Sequence, residues 1–440
     1  MDVIRAVSGQ GQEQKLNAPH MRSILASSFI GGAIEFYDFL LYATASALVF
    51  PRVFFNDLTP GVAAFASFGT LAAGYVARPL GGAIFGHFGD RMGRKGALVT
   101  SMLIMGIATT LIGLLPATSQ IGGAAVVLLI VLRILQGIAV GGEWGGAMLI
   151  AIEHAPGGKR GLAASFASLG APAGSILATG AMSAATLLPD EQFLSWGWRI
   201  PFLLSIVLVT IGLFIRLKVA ESPLFKRFEE EAERRRIPVV DVFTRYSKRL
   251  LLGTVVGISQ LTISGMASVW AVNYVVAHGA ERTGVLNMKT CAAVAMLVTT
   301  LVSARMCDRL GRRPVLIAGI VAAMLFAYPM LLLVQQATVA GFAVAVIVGQ
   351  GIQGIIIGPL AAFLAELFPT SIRFTGSSLC FQGASALGAG FTPMAAAALV
   401  SAAGGGFVLL GGVWIGVLAV CFLAAVVAAE GRRKDLASIG

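Results

Sequence analysis

Long apolar runs alternate with short polar breaks along most of the chain. Splitting at the charged and Pro/Gly-rich breaks predicts twelve helices. They fall at about 23–50, 61–86, 97–117, 123–153, 161–187, 199–219, 250–277, 285–306, 314–336, 340–366, 374–400 and 405–429. Each is near the roughly 20 residues that cross a bilayer. One run departs from its own pattern. Residues 31–50, GGAIEFYDFLLYATASALVF, are apolar except for Glu35 and Asp38, one helical turn apart.

An internal repeat organises the twelve helices. GHFGDRMGRK (86–95) follows the second, and ARMCDRLGRR (304–313) follows the eighth. Asp308 lies 218 positions after Asp90, Gln350-Gly351 lies 214 after Gln136-Gly137, and Glu366…Arg373 lies 213 after Glu153…Arg160. Two homologous six-helix halves are the build of a transporter that rocks about a central site. The expected organisation is a tail (1–22), an N-terminal bundle (23–219), a linker with an amphipathic helix (220–249), a C-terminal bundle (250–429) and a second tail (430–440). The fold class is thus an all-α membrane protein of twelve transmembrane helices in two pseudo-symmetric bundles.

Composition sharpens the membrane reading: 57% of the 440 residues are hydrophobic and 12% charged, against about 25% charged in soluble proteins. The net charge of +11 resides in the breaks, where the positive-inside rule accounts for it without a nucleic-acid partner. One set of loops holds Arg91, Arg94, Lys95, Lys159, Arg160, the run from Lys226 to Arg236, Arg309, Arg312, Arg313, Arg373 and Arg432–Lys434; the opposite loops hold little beyond Arg52, Arg282 and Lys289. Both termini are therefore expected in the cytoplasm, and no secretory signal precedes the first span. Cys291, Cys307, Cys380 and Cys421 lack metal-ligand spacing and read as small core residues. The four histidines form no metal or catalytic motif. No phosphate-binding loop is present, so no cofactor or metal is expected and the proton gradient is left as the energy source.

GHFGDRMGRK resembles the signature loop of the major facilitator superfamily. ARPLGG (77–82), RILQGIAVGGEWGGA (133–147), WGWRIPFLLS (196–205) and EFYDF (35–39) resemble its metabolite:proton symporter family. That family's substrates include shikimate, 2-oxoglutarate, citrate, proline and betaine. Physically, Gly86 allows close helix approach, Gly93 permits a tight turn, and Asp90 can accept hydrogen bonds at a helix N-terminus. Acidic residues contribute little to topology, so Asp90 needs a reason beyond orientation, whereas Arg91 does not. The resemblance implies a conformational latch in which Asp90 and Arg94 hold the eleventh helix, with Glu153 and Arg160 in the same network. Asp308, Arg312, Glu366 and Arg373 are the second-half counterparts.

The ionisable residues placed inside spans are Glu35 and Asp38 in helix 1, Arg78 in helix 2, and Arg133 and Glu143 in helix 4. At about 1.5 Å of rise per residue, Asp38 lies roughly 24 Å above Arg22, Arg133 roughly 30 Å above Glu153, and Arg78 roughly 18 Å above Asp90. All are expected near the membrane middle, which confines the charged chemistry to the N-terminal half. Charges there persist when paired or lining water. Three acids face two arginines, so one carboxylate lacks a counter-ion and becomes a candidate proton carrier. The resemblance implies that Asp38 carries the proton opposite Arg133, which could then engage an anionic substrate. Glu35 is the rival carrier and Glu143 a second candidate, while Arg78 could hold Glu35 or a substrate carboxylate. Tyr37, Trp144, Trp270, Asn273, Tyr274, Gln350 and Gln353 are candidate cavity-liners, although residues of these types at helical spacing also serve as core.

The function expected is a symporter in a bacterial inner membrane that imports a small organic acid with protons by alternating access, acting as a monomer. Two rivals remain: a proton antiporter of the same fold, suggested by GAPAGS (170–175), and a transporter-like sensor or channel.

Overall fold

The computed structural model describes residues 18–92, 94–141, 148, 160–218, 238–369 and 372–431. Within these it leaves out the side chains of 18–28, 86–92, 94, 95, 97, 98, 167, 215–218 and 238. Among the described residues there is no β-strand, and twelve long helices follow one another. In the first half these are α1 (Ala18–Leu48), α2 (Pro60–Met92), α3 (Arg94–Leu114), α4 (Ala124–Val140), α5 (Arg160–Ala185) and α6 (Arg199–Lys218). In the second, α7 runs through Ser247–Gly265, a wide π turn at Met266–Trp270, and Ala271–Ala277. It is followed by α8 (Arg282–Leu310), α9 (Arg312–Gln335) and α10 (Val339–Glu366). Then α11 covers Arg373–Ser385, a second π turn at Ala386–Gly390 and Thr392–Ala402, and α12 covers Val408–Val427.

Eight of these helices are long and apolar enough to span a membrane. A ninth span forms if Asp190–Gly197 and Arg199–Phe214, bent by 41°, count together. Outside that count, α1 carries its two acids, and the described apolar stretches of α3 and α4 cover Val99–Leu114 and Ala124–Val140. The outward surface is apolar as well. Val127, Leu128, Val131 and Leu135 of α4 are all exposed, a patch that belongs in lipid rather than water.

Close approach of α2 and α4 depends on glycine. A Cβ on Gly137 would overlap the carbonyl of Gly74, and one on Gly81 would overlap that of Ile138. The two backbones therefore touch, as small residues permit in membrane bundles, and this contact brings Arg78 and Arg133 together. In α5, Gly170 and Gly174 seat against Gly32, Ala33 and Phe36 of α1, which gives GAPAGS a role in helix contact. α1 lies along α5, α8 along α10, and α5 along α8 joins the halves.

Of the expected linker helix, residues 219–237 lie outside the described residues; Pro238–Arg245 is helical, with Val242 buried. Cys307, Cys380 and Cys421 are buried, but Cys291 is exposed and is no core residue.

Candidate functional site

The functional face of α1 is set by its rotation. Asp38 is fully buried and points to α6, where the Ser205 hydroxyl donates to its Oδ1. Its other oxygen, Oδ2, has no hydrogen-bond partner. Thr109 stands beside it but donates instead to the Met105 carbonyl at 2.9 Å. Phe39, about 100° further round the helix, carries both arginines: the Arg78 guanidinium lies 3.8 Å from its ring centroid and that of Arg133 3.7 Å. Arg133 also covers Tyr42 at 4.1 Å and donates to Gln136 Oε1 at 3.0 Å. Gln136 in turn donates to Thr109 at 2.7 Å.

Among the described residues Asp38 and Arg133 form no ion pair. A chain of neutral groups, Thr109 and Gln136, stands between them. The direct opposition implied by the resemblance is thus absent in this state, because residues 38 and 39 leave the helix in different directions. Arg133 instead rests on aromatic faces, a cation–π arrangement, with Nε and Nη2 unpaired. Glu35 is buried within electrostatic reach of Arg78. Glu143 and Trp144 lie outside the described residues.

Between the halves is a cavity of about 50 Å³, room for a few waters. From the first half Phe36, Phe39, Tyr75, Arg78, Ser168 and Ser175 line it; from the second, Gln260, Ser268, Gln350, Gln353 and Ser385 do. Gln353 donates to Gln260 at 3.0 Å and Gln350 to Ser268 at 2.8 Å. Arg78 Nε, Gln260 Nε2, Ser168 Oγ and Ser385 Oγ have no hydrogen-bond partner, so the wall offers one guanidinium and several unused amide and hydroxyl groups.

Three expected liners are placed elsewhere. Trp270 and Tyr274 pack against each other and meet Phe407 edge-on, and Asn273 donates to the Ala47 carbonyl at 2.7 Å. Trp270 closes the π turn, and Asn273 and Tyr274 follow it. Tyr37 is buried and donates to the Pro201 carbonyl at 2.6 Å, tying α1 to α6.

Contacts between the halves close both ends. At the end bearing the repeated loops, Asp308 accepts from the backbone N–H groups of Gly161 (2.8 Å) and Leu162 (3.0 Å), the first turn of α5. Arg312 braces it at 3.4 Å and reaches Glu366 at 3.0 Å. Arg160 lies within electrostatic reach of Glu366. Arg373 turns inward to the carbonyls of Ala365 (3.0 Å) and Phe368 (3.2 Å). A residue absent from the sequence reading joins in: Glu430 accepts from the N–H groups of Arg312 and Arg313 at 3.1 and 2.9 Å, capping α9. In the first copy, Gly93 and Glu153 lie outside the described residues, as do the side chains of Asp90, Arg91 and Arg94, and Gly86 is described only as helical backbone.

At the opposite end, Asp190 bridges Arg52 (3.0 Å) and Arg282 (2.7 Å). Ser183 donates to Asn287 at 2.6 Å. Lys289 corrects the sequence reading. Far from lying in a loop, it is fully buried within α8 and donates to Thr44 of α1 at 2.7 Å. Buried ionisable side chains are therefore not confined to the first half. A lysine at the fifth residue of the predicted span 285–306 was the available signal.

The family model described as "Major Facilitator Superfamily" matches residues 28–379. The inner membrane metabolite transport protein YhjE of Escherichia coli is 41% identical over 424 residues, covering 94% of this chain and 95% of that protein. The shikimate transporter of the same organism is 38% identical, covering 90% and 91%. Among solved structures, the proton:xylose symporter XylE bound to 6-bromo-6-deoxy-D-glucose superposes with a TM-score of 0.75 at 19% identity, covering 96% and 99%.

Proposed function

The chain belongs to the Major Facilitator Superfamily, as a membrane transporter rather than an enzyme, and from that premise we propose that it is a proton-coupled symporter importing a small organic acid. One observation carries the coupling: Asp38 is fully buried with an unpartnered oxygen and no cation at ion-pair distance among the described residues. An ionised carboxylate there is a buried charge without compensation, and taking up a proton removes it. Ser205 and the Thr109–Gln136–Arg133 chain surround the exchange site, so protonation of Asp38 is felt at α6 and α4 together. Arg78 is the substrate group, a guanidinium at the cavity wall suited to a carboxylate, with Gln260, Gln350, Gln353 and the serines for hydroxyl or carbonyl groups. The names of the relatives, one of them a shikimate transporter, support this substrate class.

We read the repeated-motif end as the cytoplasmic side of a bacterial inner membrane, with both termini there, because its loops are the basic ones. Asp308 then belongs to an inner latch, Asp90 to its first-half counterpart, and Asp190–Arg282 to an outer closure. Reconstituted protein given an inward-directed pH gradient and labelled shikimate, 2-oxoglutarate, citrate and glycine betaine tests the reading. Gradient-driven accumulation of one of the acids is expected. Gradient-independent equilibration of all four would overturn proton symport, and gradient-driven extrusion would establish the antiporter.

A further inference from the structure

Lys289 is left over from this mechanism. It is completely buried in a helix long and apolar enough to span the membrane, and among the described residues its one hydrogen-bond partner is the neutral hydroxyl of Thr44. Among the described residues no carboxylate lies at ion-pair distance from it. A cation in that setting costs several kcal/mol and marks function by default. Fastening α8 to α1 does not require a charge, since an amide would make the same bond.

Its position tells what the charge is for. Lys289 belongs to the second half and Thr44 to the first, so their bond crosses the seam that rocking must open. It lies toward the outer end, beside the Asn273–Ala47 contact. Thr44 is five residues beyond Phe39, about 7.5 Å of helix rise, and Phe39 is the ring on which Arg78 rests. When the outer end parts, the Thr44 bond breaks and the ammonium faces the water-filled vestibule roughly two helical turns or less above Arg78. The Asp190–Arg282–Arg52 group sits further out, with both arginines already engaged by a carboxylate.

We propose that Lys289 is a second carboxylate-binding cation, presented by the C-terminal half in the outward-open state, which takes the substrate carboxylate before Arg78 receives it. The proposal rests on the organic-acid reading above. In the closed state Thr44 occupies the ammonium, so the same residue releases the anion as the outer end shuts.

The test uses full-length protein in proteoliposomes and whichever of labelled shikimate, 2-oxoglutarate and citrate the wild type accumulates. Uptake is competed by the unlabelled acid and by its methyl ester, in wild type and in Lys289→Met, Lys289→Gln and Lys289→Arg. In wild type the acid should compete at least about tenfold better than the ester, the size of one charge-assisted contact. Met and Gln should lower that ratio several-fold, leaving the discrimination that Arg78 supplies, and Arg should restore it. Gln keeps a hydrogen bond to Thr44, so recovery of the ratio by Gln would mean fastening alone and would overturn the proposal. So would an unchanged ratio in Met. Wild type that accumulates none of the three acids overturns the organic-acid reading, and the Lys289 assignment with it.

Discussion

Asp38 and Asp308 are both aspartates withdrawn from solvent inside one helical bundle, yet their surroundings are opposite. Asp308 accepts two backbone N–H bonds at the start of α5 and has Arg312 beside it. Its carboxylate thus meets a helix N-terminus and a guanidinium, both of which favour an anion. Asp38 has one hydroxyl donor and a bare oxygen, so nothing nearby demands that its charge persist. The difference divides the molecule by task. The repeated loop joins the halves through Asp308, and on our proposal the site around Asp38 takes up and releases the coupling proton.

The same chemical change at the two positions should therefore give different failures. Asp38→Asn is expected to reduce gradient-driven accumulation to simple equilibration while substrate counterflow persists; normal uphill uptake would erase the distinction. Arg312→Ala leaves Asp308 and Glu366 facing each other without their cation, and breaking such a buried pair costs about 3–5 kcal/mol. A large fall in the thermal unfolding temperature should result, measurable by fluorescence-detected gel filtration. Asp308→Asn keeps one acceptor but loses charge-assisted bonds worth about 1.5–3 kcal/mol. Turnover should slow with coupling intact, and loss of coupling would show that the two aspartates are not different in kind. Arg52→Ala removes an ion pair whose partners are both half-exposed, worth less than about 1 kcal/mol; uptake and stability should hardly move.

How far the sequence foretold this follows from what spacing encodes. Apolar run length anticipated all twelve helices, and the duplicated Asp-Arg-x-Gly-Arg loop the two halves. Depth along a helix was also legible, which is why Arg78, Gln350 and Gln353 reach the cavity wall. Rotation was not. Asp38 and Phe39 are neighbours in sequence, but one turns to α6 and the other to the arginines, so equal depth did not make Asp38 and Arg133 partners. Nor was bending legible: the π turn at Met266–Trp270 precedes Asn273 and Tyr274, which meet Ala47 and Phe407 instead of the cavity. Lys289 was misplaced because a lone lysine near a helix end ordinarily belongs to water. Only contact across the halves buries it.

The central claim is that Asp38 carries the coupling proton, and substrate-induced proton movement tests it most directly. Liposomes loaded with a pH-sensitive dye, without a gradient, receive an inward pulse of the transported acid in its ionised form. Wild type should acidify the lumen with the substrate, and Asp38→Asn should admit substrate without acidification. An Asp38→Asn protein that still brings in one proton for each substrate, as wild type does, would contradict the account.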